Sequence, residues 1–189
     1  MDGLFFLTLQ YLGFLLFQGG RGMDVKIPLF IVTGASGAGK TTVIKELRGL
    51  LPDVDIFDID SIHPFVGDDW SKIQNIWLRV ARNIAGSGRV SLICGTMMPW
   101  DVEKCEDYPY FKHIYYLNLH CDDETRELRL RARNWPEEMI QEHKSFAKWL
   151  LENADKAYTP PMPTVDTSKT EVHEVAFQIS EWVRGHMHG

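Results

Sequence analysis

The chain has 189 residues, with 20 Lys and Arg against 26 Asp and Glu, a formal net charge of −6, and 44% apolar residues. That length and balance describe one globular domain with a core of its own, and they argue against nucleic acid as a partner, since no run of Lys or Arg marks a basic face. Cys94, Cys105 and Cys121 are an odd set without C-x-x-C spacing, which points away from a disulfide frame or zinc site and toward a reducing, cytoplasmic setting.

Residues 1–22 differ from the rest. The stretch 4–17 is apolar but broken by Thr8 and Gln10, and it is too short to span a bilayer comfortably. It lacks the basic start and small-residue cleavage site of a signal peptide, so no stable membrane insertion is expected. Gly19-Gly20-Arg21-Gly22 can be encoded by GGA-GGA-AGA-GGA, a purine-rich run like a ribosome-binding site just ahead of Met23. Residues 1–22 are therefore expected to be a mis-assigned or flexible extension, with translation starting at Met23. The rivals are a peripheral membrane-binding helix and a partner-binding helix. A native mass that begins at Met1 would rule the first expectation out.

Residues 29–33, Leu-Phe-Ile-Val-Thr, predict a first strand, and residues 41–51 predict a helix. Between them Gly34-Ala35-Ser36-Gly37-Ala38-Gly39-Lys40-Thr41 fits G-x-x-x-x-G-K-[ST] without a mismatch. Strand, loop and helix are the context in which this motif holds polyphosphate. Its glycines let successive N–H groups point inward, Lys40 reaches the β- and γ-phosphates, and the Thr41 hydroxyl is placed to ligate Mg²⁺. Gly34, Ala35, Ser36, Gly37, Ala38, Gly39, Lys40, Thr41 and Thr42 are thus the expected ATP-binding residues. The alternative is a glycine-rich turn with an incidental lysine.

A second predicted strand, 54–57, ends at Asp58-Ile59-Asp60. In extended backbone the two carboxylates share a face. Beside a Mg²⁺–triphosphate, Asp58 can hold a metal-bound water and Asp60 can accept a hydroxyl proton from an acceptor. The alternative is a turn with solvated acids, or Asp60 as a helix N-cap. A helix over 70–85 follows, with Ile73, Ile76, Trp77, Val80, Ala81 and Ile84 at helical spacing and Gly86-Ser87-Gly88 as its stop. The third strand is 90–94, closed by Gly95 and Thr96. Thr96, Met97, Met98, Pro99 and Trp100, with His63, Phe65 and Trp70, are expected to line a partly apolar acceptor pocket, although aromatic-rich segments are more often core. Asp60, His63, Trp70 and Thr96 are the substrate-binding candidates, with His63 as a polar contact.

The fourth strand is 114–119. Asp122 is a good N-cap for a helix running through Arg133. Of its four arginines, Arg129 and Arg133 share a face and are expected to stabilise the transferred phosphoryl group together with Lys40. Arg126 and Arg131 are expected as a surface pair beside Glu124 and Glu127. Pro136-Glu137-Glu138 opens another helix, with Ile140, His143, Ala147, Leu150 and Leu151 along one stripe. A short strand, 164–166, precedes a last helix carrying Val172, Val175, Ala176, Ile179, Trp182 and Val183. His186-Met187-His188 reads as a frayed tail. Strands alternating with helices predict an α/β fold with a parallel sheet and helices on both faces. Ligands of such sheets bind at the carboxyl ends of the strands, where the P-loop, Asp58/Asp60, Gly95/Thr96 and the segment after Leu119 all fall.

From Leu29 onward these residues resemble the small-molecule branch of P-loop kinases, which includes gluconate kinase, shikimate kinase, chloramphenicol phosphotransferase and the adenylate-kinase-like nucleotide kinases. Asp58-Ile59-Asp60-Ser61-Ile62-His63-Pro64 resembles the D-x-D-x-x-H-P stretch of gluconate kinases. Asp60-Ser61-Ile62 is similar to the segment that carries the general base in chloramphenicol phosphotransferase. Arg129-Leu130-Arg131-Ala132-Arg133 resembles the R-x-x-x-R opening of the lid in nucleotide kinases, and Val165-Asp166-Thr167-Ser168 resembles the loop that abuts adenine. The resemblance implies a three-layer P-loop NTPase fold with five parallel strands and a helical lid at about 126–153 within a domain at 23–189. It implies Mg²⁺ and ATP as cofactors, a small-molecule phosphate acceptor, and a monomer or homodimer. Residues 95–100 do not match the gluconate kinase segment, and the three-glycine substrate loop of shikimate kinases is absent. No N-K-x-D marks a GTPase switch, and no strand ending in Asp-Glu marks an NTPase module that drives a partner.

Overall fold

The computed structural model describes residues 27–187, so the expectations for residues 1–22 lie outside the described residues. Five strands, β1 (Leu29–Thr33), β2 (Val54–Asp58), β3 (Val90–Cys94), β4 (Ile114–His120) and β5 (Thr164–Asp166), form one sheet. Its order is β2-β3-β1-β4-β5, and every pairing is parallel. Parallel neighbours need crossovers, which pass through α1 (Lys40–Leu50), α2 (His63–Val66), α3 (Trp70–Ala85), α4 (Pro99–Val102), α5 (Asp123–Arg131) and α6 (Glu137–Asn153). The last helix, α7 (Val172–His186), follows β5. This is the α/β sheet with helices on both faces that the strand–helix alternation predicts.

Central β1 explains the two cores. Successive side chains of a strand point to opposite faces. Phe30 and Val32 pack with Val43, Ile44 and Leu47 of α1 and with Val175, Ala176, Ile179 and Val183 of α7. Leu29 and Ile31 pack on the other face with Ile73, Trp77, Leu78 and Ala81 of α3 and Leu150 of α6. Both faces of β1 and β3 are buried, which is why these strands read as nearly unbroken apolar runs.

Helix ends follow their capping residues. The Asp69 carboxylate accepts from the Lys72 amide at 3.0 Å and starts α3. The Asp122 carboxylate accepts from the Thr125 amide at 2.7 Å and starts α5, as its sequence position predicts. α5 stops at Arg131, short of the expected Arg133. The chain turns through Asn134, whose φ of 57° is the left-handed conformation common just past a helix end.

Two local expectations are corrected. Leu151 is 43% exposed, because the inner stripe of α6 narrows to Ile140, Ala147 and Leu150. His186 is the last residue of α7 rather than part of a frayed tail. Its ring lies 4.7 Å from that of Tyr115 and Met187 packs on the core, while His188 lies outside the described residues.

Candidate functional site

The loop between β1 and α1 is shaped by its neighbours. Gly34 has φ of 145°, and a Cβ there would collide with the Leu119 carbonyl, so the end of β4 can press against the loop only because position 34 is glycine. Gly39 caps α1 with no side-chain hydrogen bond, and the first turn of α1 carries no acid. The N-terminal amides and the positive end of that helix dipole are left for an anion.

The loop carbonyls are held from outside. Arg126 Nη1 donates to the Ser36 carbonyl at 2.6 Å, and Thr167 Oγ1 donates to the Ala38 carbonyl at 3.0 Å. The Gly37 carbonyl accepts from Arg129 Nη1 at 3.0 Å and from Cys121 Sγ at 3.5 Å. Carbonyls bound on one side turn their partner amides toward the other, the arrangement that receives anions. Lys40 Nζ lies against the loop, 2.6 Å from the Gly34 carbonyl and 3.3 Å from that of Ala35. Thr96 Oγ1 donates to the same Gly34 carbonyl at 3.0 Å, so Thr96 braces the loop. Burial lowers the Lys40 ammonium to about 8, with the Asp60 carboxylate opposing and the Arg126 guanidinium adding to the shift.

Arg126 corrects an expectation outright. It is 0% exposed rather than at the surface, it also donates to the Cys121 carbonyl at 3.0 Å, and its Nε has no partner. Among the described residues no carboxylate forms an ion pair with it, although an unpaired buried guanidinium is an expensive arrangement. Its inward direction is shared by Leu130, four residues on and fully buried, whereas Leu128 is exposed. With one leucine on each side of α5, the sequence alone left the inner face of the helix unmarked. Arg131 behaves as expected, pairing at the surface with Glu127 and Glu137.

Arg129 and Arg133 come together on the outer side of the loop. With Gly37, Gly39, Thr42 and Thr167 they line a cavity of about 130 Å³ whose wall is Val172 and Val175. Arg129 Nη2 also donates to the Thr167 carbonyl at 2.8 Å. The segment after β5, read as the neighbour of a base, thus meets the loop at this cavity.

On the other side stand the two aspartates. β2 ends at Asp58, and Asp60 lies in the 3₁₀ turn Ile59–Ile62, so the extended alternation expected of them is broken by a turn. Asp58 caps that turn by accepting from the Asp60 amide at 3.1 Å. A Cβ on Gly95 would strike the Ile59 side chain, so the turn sits directly on the end of β3. Trp77 Nε1 fastens it by donating to the Ile59 carbonyl at 3.0 Å. Asp60 opens to solvent on one side. The protein on its other side, and then the Asp58 carboxylate, raise its pKa above the ordinary carboxylate value against the pull of Lys40 and His63. His63 Nε2 lies 2.8 Å from Asp68 Oδ1 and its ring 5.6 Å from that of Trp70, so its polar contact here is within the protein.

The apolar pocket expected beside these residues is narrower than the sequence implied. Met97 and Met98 are buried in the core, where the Tyr158 hydroxyl donates to Met98 Sδ at 3.6 Å. Phe65 at 87% exposure, Trp70 at 44% and Trp100 at 42% remain open. His143 of α6, expected as one more stripe residue, instead reaches the loop, its Nδ1 accepting from the Ser36 amide at 3.4 Å. Among the described residues no group of three His, Cys, Asp or Glu could hold a metal, and no helix is long and apolar enough to cross a membrane.

No protein-family model matches the chain, and no curated protein matches it. Solved structures do. A sugar kinase from Janibacter sp. HTCC2649 superposes with a TM-score of 0.59 at 14% identity, over 84% of this chain and 95% of that one. Shikimate kinase from Acinetobacter baumannii, in complex with shikimate, gives 0.53 at 20% identity over 87% and 97%. The tunicamycin resistance protein of Deinococcus radiodurans gives 0.59 at 17% over 84% and 96%. At these identities the likeness is one of fold, and that fold is the P-loop small-molecule kinase type.

Proposed function

We propose that this chain is an ATP-dependent phosphotransferase that moves a γ-phosphate to a hydroxyl group of a small molecule. One observation carries the reading: Asp60, a carboxylate of raised pKa, stands in the electrostatic field of the P-loop lysine, Lys40. A general base within reach of the terminal phosphate is what a kinase needs and a simple nucleotide switch does not.

In this reading the β- and γ-phosphates lie along the loop amides and the N-terminus of α1, with the base in the cavity between Arg129, Arg133 and Thr167. The donor set fits Mg²⁺, which takes few protein ligands and keeps phosphates and waters: Thr41 offers its hydroxyl at the start of α1 and Asp58 a carboxylate across from it. Bound there, Mg²⁺ would neutralise phosphate charge. Asp60 takes the proton of the acceptor hydroxyl as its oxygen attacks the γ-phosphorus, ADP leaves, and Lys40 offsets the charge that builds on the transferred group. Arg126, buried beside the loop with no acid partner, supplies a fixed positive field for the same charge.

The acceptor side has its own electrostatic character. From position 58 to 71 the chain carries Asp58, Asp60, Asp68 and Asp69 but neither Lys nor Arg, and from 95 to 103 it carries Asp101 and Glu103, again without a cation. A phosphate or carboxylate would be repelled there. The preferred acceptor is therefore an uncharged or amine-bearing alcohol whose apolar body can rest on Phe65, Trp70 or Trp100. An ATP-consumption screen over sugars, sugar acids, nucleosides, nucleotides, and aminoglycoside-type and chloramphenicol-type alcohols tests this. The expected outcome is acceptor-dependent ADP release with alcohols that lack an anionic group, reduced about 10²- to 10⁴-fold by Asp60→Asn. Brisk hydrolysis with no acceptor, unchanged in Asp60→Asn, would sink the kinase reading.

A further inference from the structure

His143 reaches from α6 to the P-loop, yet the transfer described above does not use it. Its Nδ1 accepts the Ser36 N–H, so that nitrogen carries no proton in this state. The Trp135 ring lies 5.2 Å from the imidazole. Facing it are Lys40 from α1 and Arg126 from α5, with Glu142 on its own helix as the opposing charge. Burial first, and then those two cations, push its pKa below the ordinary histidine value.

We infer that His143 is a nucleotide-binding residue that exchanges roles on binding: the terminal phosphate takes over the Ser36 amide, and His143 turns from proton acceptor to proton-bearing donor against that phosphate. This rests on the reading of the loop as a polyphosphate site. An amide has one proton, and an incoming phosphate oxygen competes with Nδ1 for it. The negative charge of the phosphate then offsets the field of Lys40 and Arg126, which adds to burial in keeping the ring neutral. One proton comes from solvent and forms the Nδ1–H bond, and no other covalent bond is made or broken. His143 meets the loop at the Ser36 amide and feels the charge of Lys40, the side chain read as reaching the β- and γ-phosphates.

The sign follows. Binding raises the pKa of His143, so the gain is fully present below its value in the free protein and is lost as pH rises through its value in the complex. Lys40, at about 8 in the free protein, titrates on the alkaline side of the free His143.

Calorimetry in two buffers of different ionisation enthalpy tests the inference, using Mg²⁺ with ADP or with β,γ-methylene-ATP at pH 6.5 and 8.5. At pH 6.5 the wild-type protein should take up about half a proton more than His143→Gln with the triphosphate analogue, and no more than that variant with ADP. Its affinity for the triphosphate should weaken roughly three- to tenfold more than that of His143→Gln between pH 6.5 and 8.5. His143→Arg, with a permanent cation, should bind without that added pH dependence, which also guards against misfolding of the glutamine variant. Tight binding with equal proton uptake in wild type and His143→Gln overturns the role of His143 alone. Failure of every protein to bind either nucleotide overturns the polyphosphate reading together with it.

Discussion

The two halves of the cleft are built by different means. On the proposed nucleotide side, the carbonyls of Ser36, Gly37 and Ala38 are tied by Arg126, Arg129, Cys121 and Thr167, residues 84 to 129 positions away in the chain. On the proposed acceptor side most polar contacts are local: Asp58 to the Asp60 amide, Asp69 to the Lys72 amide, and His63 to Asp68, spans of two to five residues, with Trp77 to the Ile59 carbonyl as the longer tie. In the proposed reading, a loop that presents its amides to a polyanion needs its carbonyls fixed from elsewhere. A surface that selects an acceptor would need shape and charge, which a short segment with open aromatic rings can offer. The first half is therefore a product of the whole fold, and the second can vary with little cost to it.

Three experiments press on this contrast, from the largest expected effect downward. Lys40→Met should lower kcat by about 10³-fold, because the group that meets charge only as it develops is lost; stopped-flow measurement of ADP release reads this. A matching loss in acceptor KM with kcat intact would place Lys40 on the wrong side of the cleft.

Asp107 probes the scaffold under the acceptor side. Its side chain is 4% exposed and is gripped by Arg79 Nε and, at 2.6 Å, by Arg82 Nη1. Burial alone would raise its pKa, but the hydrogen bonds from Arg79 and then Arg82 overcome that and hold it below the usual range. A depressed carboxylate contributes stability above its unfolded value and loses it as pH falls through its folded one. Asp107→Asn should thus cost about 2 kcal/mol at neutral pH, with the gap to wild type closing below about pH 4, and should leave nucleotide affinity unaltered. Denaturant melts at pH 7 and pH 3 check it, and a gap that widened on acidification would contradict the assignment.

The smallest effect expected is in exchange. Arg126 and Arg129 already bind the loop, so nucleotide should add protection to amides of residues 132–146, between those anchors and the middle of α6, while leaving residues 63–71 as they were. Hydrogen exchange with and without an ATP analogue measures this. Equal protection throughout residues 132–146 counts against a closing lid.

Much of this was legible in one dimension, and the misses share a cause. The strand, the loop of eight residues and the helix after it are local: a β-rich apolar run, glycines and a lysine at fixed spacing. β3 and α3 likewise declared themselves through a nearly unbroken apolar run and through the 3.6-residue period between Asp69 and Gly86. Arg126 was misjudged because α5 carries Leu128 and Leu130 on opposite sides, and periodicity could not choose the inner one. His143 looked like a stripe residue because its stripe does face inward, but at that position it meets the loop, whereas Leu150 meets hydrocarbon. Met97 and Met98 follow a strand end, the usual place for a ligand, but both are buried in the core, where Tyr158 bonds Met98.

The sequence by itself determined that this protein has an α/β sheet with a P-loop motif at its centre and paired aspartates at a neighbouring strand end, since spacing along one chain segment specifies those. Only the tertiary structure decided that a buried arginine, without an acid partner among the described residues, and a histidine from a distant helix both face that loop. Their place depends on how α5 and α6 pack across the strand ends, and the free energy of that packing is spread over both cores rather than written in any segment of the chain.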